Sequence, residues 1–107
     1  MTTSTDILLA AADLLDAPGA WCRGAFARDA ESRPVSARDP SAECWCAFGA
    51  ISRASQDADH AAHDTACMRL SEQLAREGYE PGIVDWNEDD FRTRTQVVRM
   101  LRRAAQQ

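Results

Sequence analysis

The run Cys44-Trp45-Cys46-Ala47-Phe48-Gly49-Ala50-Ile51 has almost no wet side, and that limits what the chain can fold into. Wound as a helix, its apolar side chains point in nearly all directions, and a helix apolar all round belongs at the centre of a protein. Asp39-Pro40 offers a start for such a helix. Aspartate caps free N–H groups, and proline is tolerated at the first helical position. The expectation is a buried central helix from Asp39 to Ser55. Gly49 inside it costs about 1 kcal/mol against alanine. Close approach of another backbone is the reason to carry that cost.

Shorter amphipathic segments surround this run. Ser4 or Thr5 caps a first helix, with Ile7, Ala11, Leu14 and Leu15 on one face and Pro18-Gly19 as its stop. Trp21 to Asp39 reads as a short helix or extended piece and then a loop. A third helix begins at Asp57 or Asp59 and runs to Glu77, with Gly78 ending it. Its apolar face reads His60, His63, Cys67, Leu70, Leu74. Ile83 to Trp86 reads as a short extended segment. Thr93 and Gln96 form a capping box opening the last helix, where Val97, Leu101 and Ala104 make the buried stripe. The chain of 107 residues suits one domain, residues 1–107, with a real core. The expected fold is all-α: a compact bundle of about four helices around a buried central one, with room for one short two-stranded pairing. Trp21 to Arg28 echoes Trp45 to Arg53, over too few residues to establish a duplication.

Charge is unevenly placed. All 17 acidic residues precede Phe91 in company with seven arginines, while the last sixteen residues carry five arginines and no acid. The net charge of −5 argues against non-specific nucleic-acid binding by the whole chain. The basic last helix leaves local phosphate contact open. The apolar run Ile7 to Ala12, like Cys44 to Ile51, is far short of the roughly 20 residues a membrane span needs. The polar N-terminus lacks the basic start of a signal peptide. A cytoplasmic location is the expectation, with the four cysteines reduced.

Several constellations could carry chemistry. Cys44-x-Cys46 with His60-x-x-His63-x-x-x-Cys67 has the residue types of a zinc site. On a helix, however, Cys44 and Cys46 would point about 200° apart, so only one joins readily. The plainer reading is small buried thiols in a packed core. Cys46 or Cys67 could act as a nucleophile with His63 as base, but Asp64 points about 100° away from His63 on a helix and is poorly placed to orient it. The acidic run Asp85-Trp86-Asn87-Glu88-Asp89-Asp90 could bind a cation or meet a basic partner; the plainer reading is a solvated connection in which Asn87 caps a short turn and Trp86 anchors it in the core. Arg99, Arg102 and Arg103 could grip phosphate or an acidic surface, or could instead neutralise the acidic body.

Three segments carry a resemblance: Gly19-Ala20-Trp21-Cys22-Arg23-Gly24-Ala25, Trp45 to Ile51, and Val84-Asp85-Trp86-Asn87. Followed by a Thr-led last helix, they resemble a family of small uncharacterised bacterial and phage proteins. Its pattern is W-x-x-G-A, W-C-A-x-G-A and W-N-D, and it spans Ile7 to Ala105. Glu88 stands where the pattern has its aspartate. The resemblance implies no activity and no fixed set of histidines and cysteines. It implies an accessory role toward a host. Small size, charge segregation and the lack of a catalytic set point to a non-enzymatic protein-interaction module with an acidic surface and no cofactor, and the resemblance implies that it is a phage-derived accessory or host-defence inhibitor. The alternatives are a small zinc-binding domain and a cysteine-dependent enzyme.

Overall fold

Three of the helices follow directly from local capping. The computed structural model describes residues 2–107. In α1 (Ser4–Leu15) the cap is Thr3, one residue earlier than expected. Its hydroxyl accepts the Asp6 N–H at 3.1 Å, and the Asp6 carboxylate accepts the Thr3 N–H at 3.0 Å. Three strands follow: β1 (Ala27–Arg28), β2 (Pro34–Val35) and β3 (Cys44–Trp45). Then come α2 (Ala47–Ala54), α3 (His60–Arg76), α4 (Ile83–Asn87) and α5 (Arg94–Ala105). Asp59 caps α3 through the Ala62 N–H at 2.8 Å, and Gly78, at φ +89°, releases the chain from its end. Thr93 and Gln96 form the reciprocal box at the start of α5.

The central helix is shorter than its composition implied. Asp39 does not cap it. The Asp39 carboxylate instead takes the Ser41 N–H at 2.8 Å and the Ser41 hydroxyl at 2.7 Å, closing a tight turn. The chain then runs extended through Cys44 and Trp45, which pair with Arg28 and Ala27. Only at Cys46 does α2 begin, its sulfur accepting the Gly49 N–H at 3.3 Å. The run is apolar on every side because it is two elements, a strand and a helix, each burying its own face.

The fold is therefore mostly helical rather than all-α, with a small antiparallel sheet in the order β2-β1-β3. Ala27 faces Val35 on one side and Trp45 on the other. Pro34, which cannot donate a ladder bond, sits on an edge strand as it must. Trp21 makes a parallel bridge to Trp45, so the two echoing tryptophans lie side by side. The expected extended piece at Ile83 is instead one short helix, α4. It buries Ile83 and Trp86. The core is one connected cluster in which α1 packs on α5, α2 and α3, centred on Ile7, Leu8, Leu15, Ile51, Leu70 and Leu101. Arg69 ties both chain ends to α3: it donates to Ser4 and Thr5 hydroxyls and to the Ala105 and Gln107 carbonyls. No helix among the described residues is long and apolar enough to cross a membrane.

Three turn and cap carboxylates make stability pH-dependent. Backbone N–H groups of Thr3, Arg33 and Ser41 hold Asp6, Asp29 and Asp39 respectively below their ordinary range. The unfolded chain then takes up protons at a higher pH than the folded one. The stabilisation is fully present above the unfolded value of about 3.9 and is lost as pH falls through the lower folded values. Urea unfolding midpoints should stay level from these three groups between pH 7 and 5 and drop below about pH 4. Asp29→Asn should flatten part of that drop; an unchanged acid limb in that variant would show that Asp29 contributes nothing to it.

Candidate functional site

The three tryptophan segments meet at one buried amide. Asn87, the last residue of α4, is fully buried. Its Oδ1 accepts the Trp21 indole N–H at 2.7 Å and the Ala47 N–H at 2.9 Å. Its Nδ2 donates to the Cys22 carbonyl at 3.3 Å and to Glu88 Oε2 at 3.0 Å. The other Glu88 oxygen accepts the Gly24 N–H. One side chain thus binds the loop after Trp21, the first turn of α2 and the end of α4. Arg92 closes the far side, its guanidinium 4.2 Å above the Trp86 ring and its Nε donating to the Trp86 carbonyl. Gly49 supplies the close approach expected of it, because a Cβ there would lie 1.9 Å from the Phe26 carbonyl oxygen.

This junction frames an open cleft of about 560 Å³ between the sheet and α4. Gly24, Ala25 and Phe26 form one wall, Pro34, Val35 and Ser36 a second, and Val84 with Glu88 a third, with Cys46 also in its lining. Phe26 is 52% exposed and Val84 44% exposed, both large for apolar side chains with no cover. Glu88 is the one charged group in the lining among the described residues. The acidic run splits by role. Trp86 and Asn87 are buried in the junction, and Glu88 is half-buried beside it. Asp85, Asp89 and Asp90, chain neighbours of the lining residues Val84 and Glu88, stay exposed. The neighbouring cations Arg23 and Arg28 donate to the backbone carbonyls of Asp89, Arg23 and Ser32.

Cys44, Cys46, His60, His63 and Cys67 do not converge on one point. Cys44-x-Cys46 lies on a strand and its cap, so both thiols leave the same side rather than opposite sides of a helix. The Trp21–Trp45 bridge adds Cys22 there. Burial pushes the Cys22 thiol up, and the adjacent Cys44 thiol raises it further. Burial also raises Cys46, against the Gly49 N–H that favours its thiolate. Cys67 is pushed up to about 11 by burial and by Asp64. Thiols raised in this way stay protonated at neutral pH and are poor nucleophiles. His60 is exposed rather than on the buried face of α3. Among the described residues no three His, Cys, Asp or Glu side chains are grouped to hold a metal ion.

His63 lies in a second cleft, of about 640 Å³, lined also by Phe26, Ser36, Ala37, Arg38, Ser52, His60 and Asp64. Contrary to the helical-wheel expectation, Asp64 does reach it: Nδ1 of His63 is 3.2 Å from Asp64 Oδ1. The 100° angle applies to the Cα–Cβ bonds and does not fix where the ring and carboxylate atoms beyond them lie. Nε2 of His63 is 3.4 Å from Ser52 Oγ and 3.9 Å from Cys67 Sγ. Ser52 and Arg38 carried no sequence signal, since their nearness to His63 depends on how α2 and α3 pack.

The basic last helix is largely spent on the acidic body. Arg102 pairs with Asp16 at 3.1 Å and Asp13 at 3.4 Å, Arg103 with Glu77 at 2.5 Å, and Arg94 with Asp16 at 3.5 Å. The Asp16 carboxylate holds the Arg102 guanidinium above its ordinary range. Arg99 has no ion-pair partner among the described residues, and it lines a shallow groove with Arg102 and Arg103.

A model of the family of unknown function DUF6197 matches residues 1–107. The chain belongs to this family. No curated protein and no solved structure matches it. In this DUF6197 chain the segments Trp21–Ala25, Trp45–Ala50 and Trp86–Glu88 are the ones the Asn87 amide gathers, and the 560 Å³ cleft opens directly on them.

Proposed function

We propose that this protein works by docking a segment of another protein in the Phe26–Val84 cleft, and that the segment is basic with an apolar anchor. The observation that carries this is an open, mostly apolar cleft flanked by two exposed hydrophobic side chains. Exposed apolar surface with a shaped hollow is characteristic of a binding site. Charge selects the partner. Glu88 is in the lining, and the residues flanking Val84 and Glu88 in the chain, Asp85, Asp89 and Asp90, are exposed. Such a rim raises the association rate of a cationic segment and repels an acidic one. The floor is held by the Asn87 and Gly49 contacts, so the site needs little ordering to bind. An accessory role of phage origin toward a host protein is consistent with the sequence resemblance and with this mode of action.

A random-peptide display selection on the immobilised protein tests the reading. Selected peptides should combine lysine or arginine with an aromatic or aliphatic anchor. Phe26→Asp and Val84→Asp should each weaken their binding by at least about tenfold, the scale expected when an anchor pocket is lost. Acidic consensus peptides, or binding indifferent to both substitutions, would overturn it.

A further inference from the structure

We infer that the second cleft holds a serine hydrolase site, with Ser52 as nucleophile, His63 as general base and Asp64 as the positioning carboxylate, acting on small carboxylic esters. Ser52 Oγ lies 3.4 Å from His63 Nε2, and His63 Nδ1 lies 3.2 Å from Asp64 Oδ1. The chain Ser–His–Asp is recognised by geometry and role, whatever the fold that carries it. Asp64 selects the tautomer in which Nδ1 carries the proton, which leaves the Nε2 lone pair to receive one. The imidazole is held in place: its side chain is 17% exposed, and it stands edge-on to Phe48 at a ring separation of 5.8 Å.

Two groups compete for Nε2, and the cleft decides between them. Cys67 is farther away, at 3.9 Å, and is not part of the cleft lining, whereas Ser52 is. The thiol also stays protonated at neutral pH, being pushed up to about 11. Arg38 supplies positive charge beside the nucleophile. Its Nε donates to the Ser52 carbonyl at 2.9 Å and its Nη2 to the Ser55 hydroxyl at 3.4 Å. Its Nη1 has no hydrogen-bond partner among the described residues, and Arg38 lines the same cleft. That donor can meet an oxyanion. Phe26 adds an apolar wall suited to a short acyl group.

The step balances without a cofactor. Ser52 Oγ bonds to the ester carbonyl carbon and its proton passes to His63 Nε2. The developing oxyanion faces Arg38. The carbon–oxygen bond to the leaving group then breaks, and the departing alcohol takes the proton from His63. Water repeats the sequence on the acyl-serine, releasing the acid. Asp64 is 71% exposed, so solvent weakens its hold on the imidazole and turnover is slow.

An ethoxy fluorophosphonate probe tests the assignment, because Ser52 Oγ would displace fluoride and keep the phosphonyl group. Intact mass and peptide mapping of the wild-type protein should show one adduct, on Ser52, and p-nitrophenyl acetate should be hydrolysed. Ser52→Ala should abolish both. H63Q should label at least about 100-fold more slowly, the usual worth of general-base assistance. Asp64→Asn should slow labelling by about tenfold and Asp64→Glu should restore it, a rescue that a merely structural role does not give. Wild-type protein that takes no adduct overturns the inference, as does an adduct on another residue or one formed equally fast in H63Q. Val84→Asp leaves this cleft untouched, so failure of the docking proposal and failure of this one are separable.

Discussion

Gly49→Ala is expected to destabilise the protein by about 3 kcal/mol or more, the upper range for forcing extra volume into a packed interior. The added methyl would lie 1.9 Å from the Phe26 carbonyl oxygen, 2.9 Å from its carbonyl carbon and 3.3 Å from its Cα. These are backbone atoms, so no rotamer change relieves the clash. The loop ahead of β1 must withdraw from α2, and the Cys46 N–H bond to the Phe26 carbonyl, 3.2 Å long, goes with it. Intrinsic helix propensity runs the other way and favours alanine by about 1 kcal/mol. The two effects therefore predict opposite signs, and urea unfolding decides between them. A variant as stable as the parent, or more so, would mean that the approach of Phe26 to α2 is soft. Because Phe26 also walls both clefts, peptide binding and probe labelling should fall in the same variant.

Asn87→Leu should cost about 3 to 4 kcal/mol, placing it among the strongly destabilising single changes. The substitution keeps the branched four-heavy-atom shape, adds the bulk of two methyl groups, and removes four hydrogen bonds. It leaves the Trp21 indole N–H and the Ala47 N–H without an acceptor and the Cys22 carbonyl without this donor. Asn87→Asp separates the acceptor from the donor. The new carboxylate still accepts from Trp21 and Ala47 but faces Glu88 Oε2, which the amide meets at 3.0 Å. Two carboxylates at that distance resist double ionisation, so the proton they share has a raised pKa. This variant should be weak at pH 7 and recover as pH falls through that raised value, opposite in sign to the acid loss from Asp6, Asp29 and Asp39. A pH-independent deficit in Asn87→Asp would sink the account of Glu88 as its neighbour.

Much of the helical architecture was legible in the chain. The Thr93/Gln96 box, the Asp59 cap, the Pro18-Gly19 stop and Gly78 all mark observed helix boundaries. The sheet was underestimated. Ala27–Arg28 and Pro34–Val35 are two residues each, too short for alternation to show. The Cys44–Trp45 strand was hidden inside an apolar run that reads equally well as helix. The cleft walls were half visible. Trp86 is the core anchor its residue type implies, whereas Asn87, whose residue type suits a turn cap, organises the junction. The exposure of Phe26 and Val84 is not legible, because an apolar residue in a sequence carries no mark of whether anything will cover it.

The all-round apolar run from Cys44 to Ile51 shows where the division falls. Composition alone required it to be buried, and burial is what the structure shows for Trp45, Cys46, Ala47, Gly49, Ala50 and Ile51. Caps, stops and charge layout were likewise determined locally, because a helix closes each hydrogen bond within four residues. Only the tertiary structure decided that the run begins as a strand. Its ladder partners are Ala27 and Arg28, on a distant stretch of chain. The same holds for Asn87 reaching Trp21 and for Ser52 reaching His63. A buried polar contact between remote residues is closed by packing, and packing is a property of the whole fold.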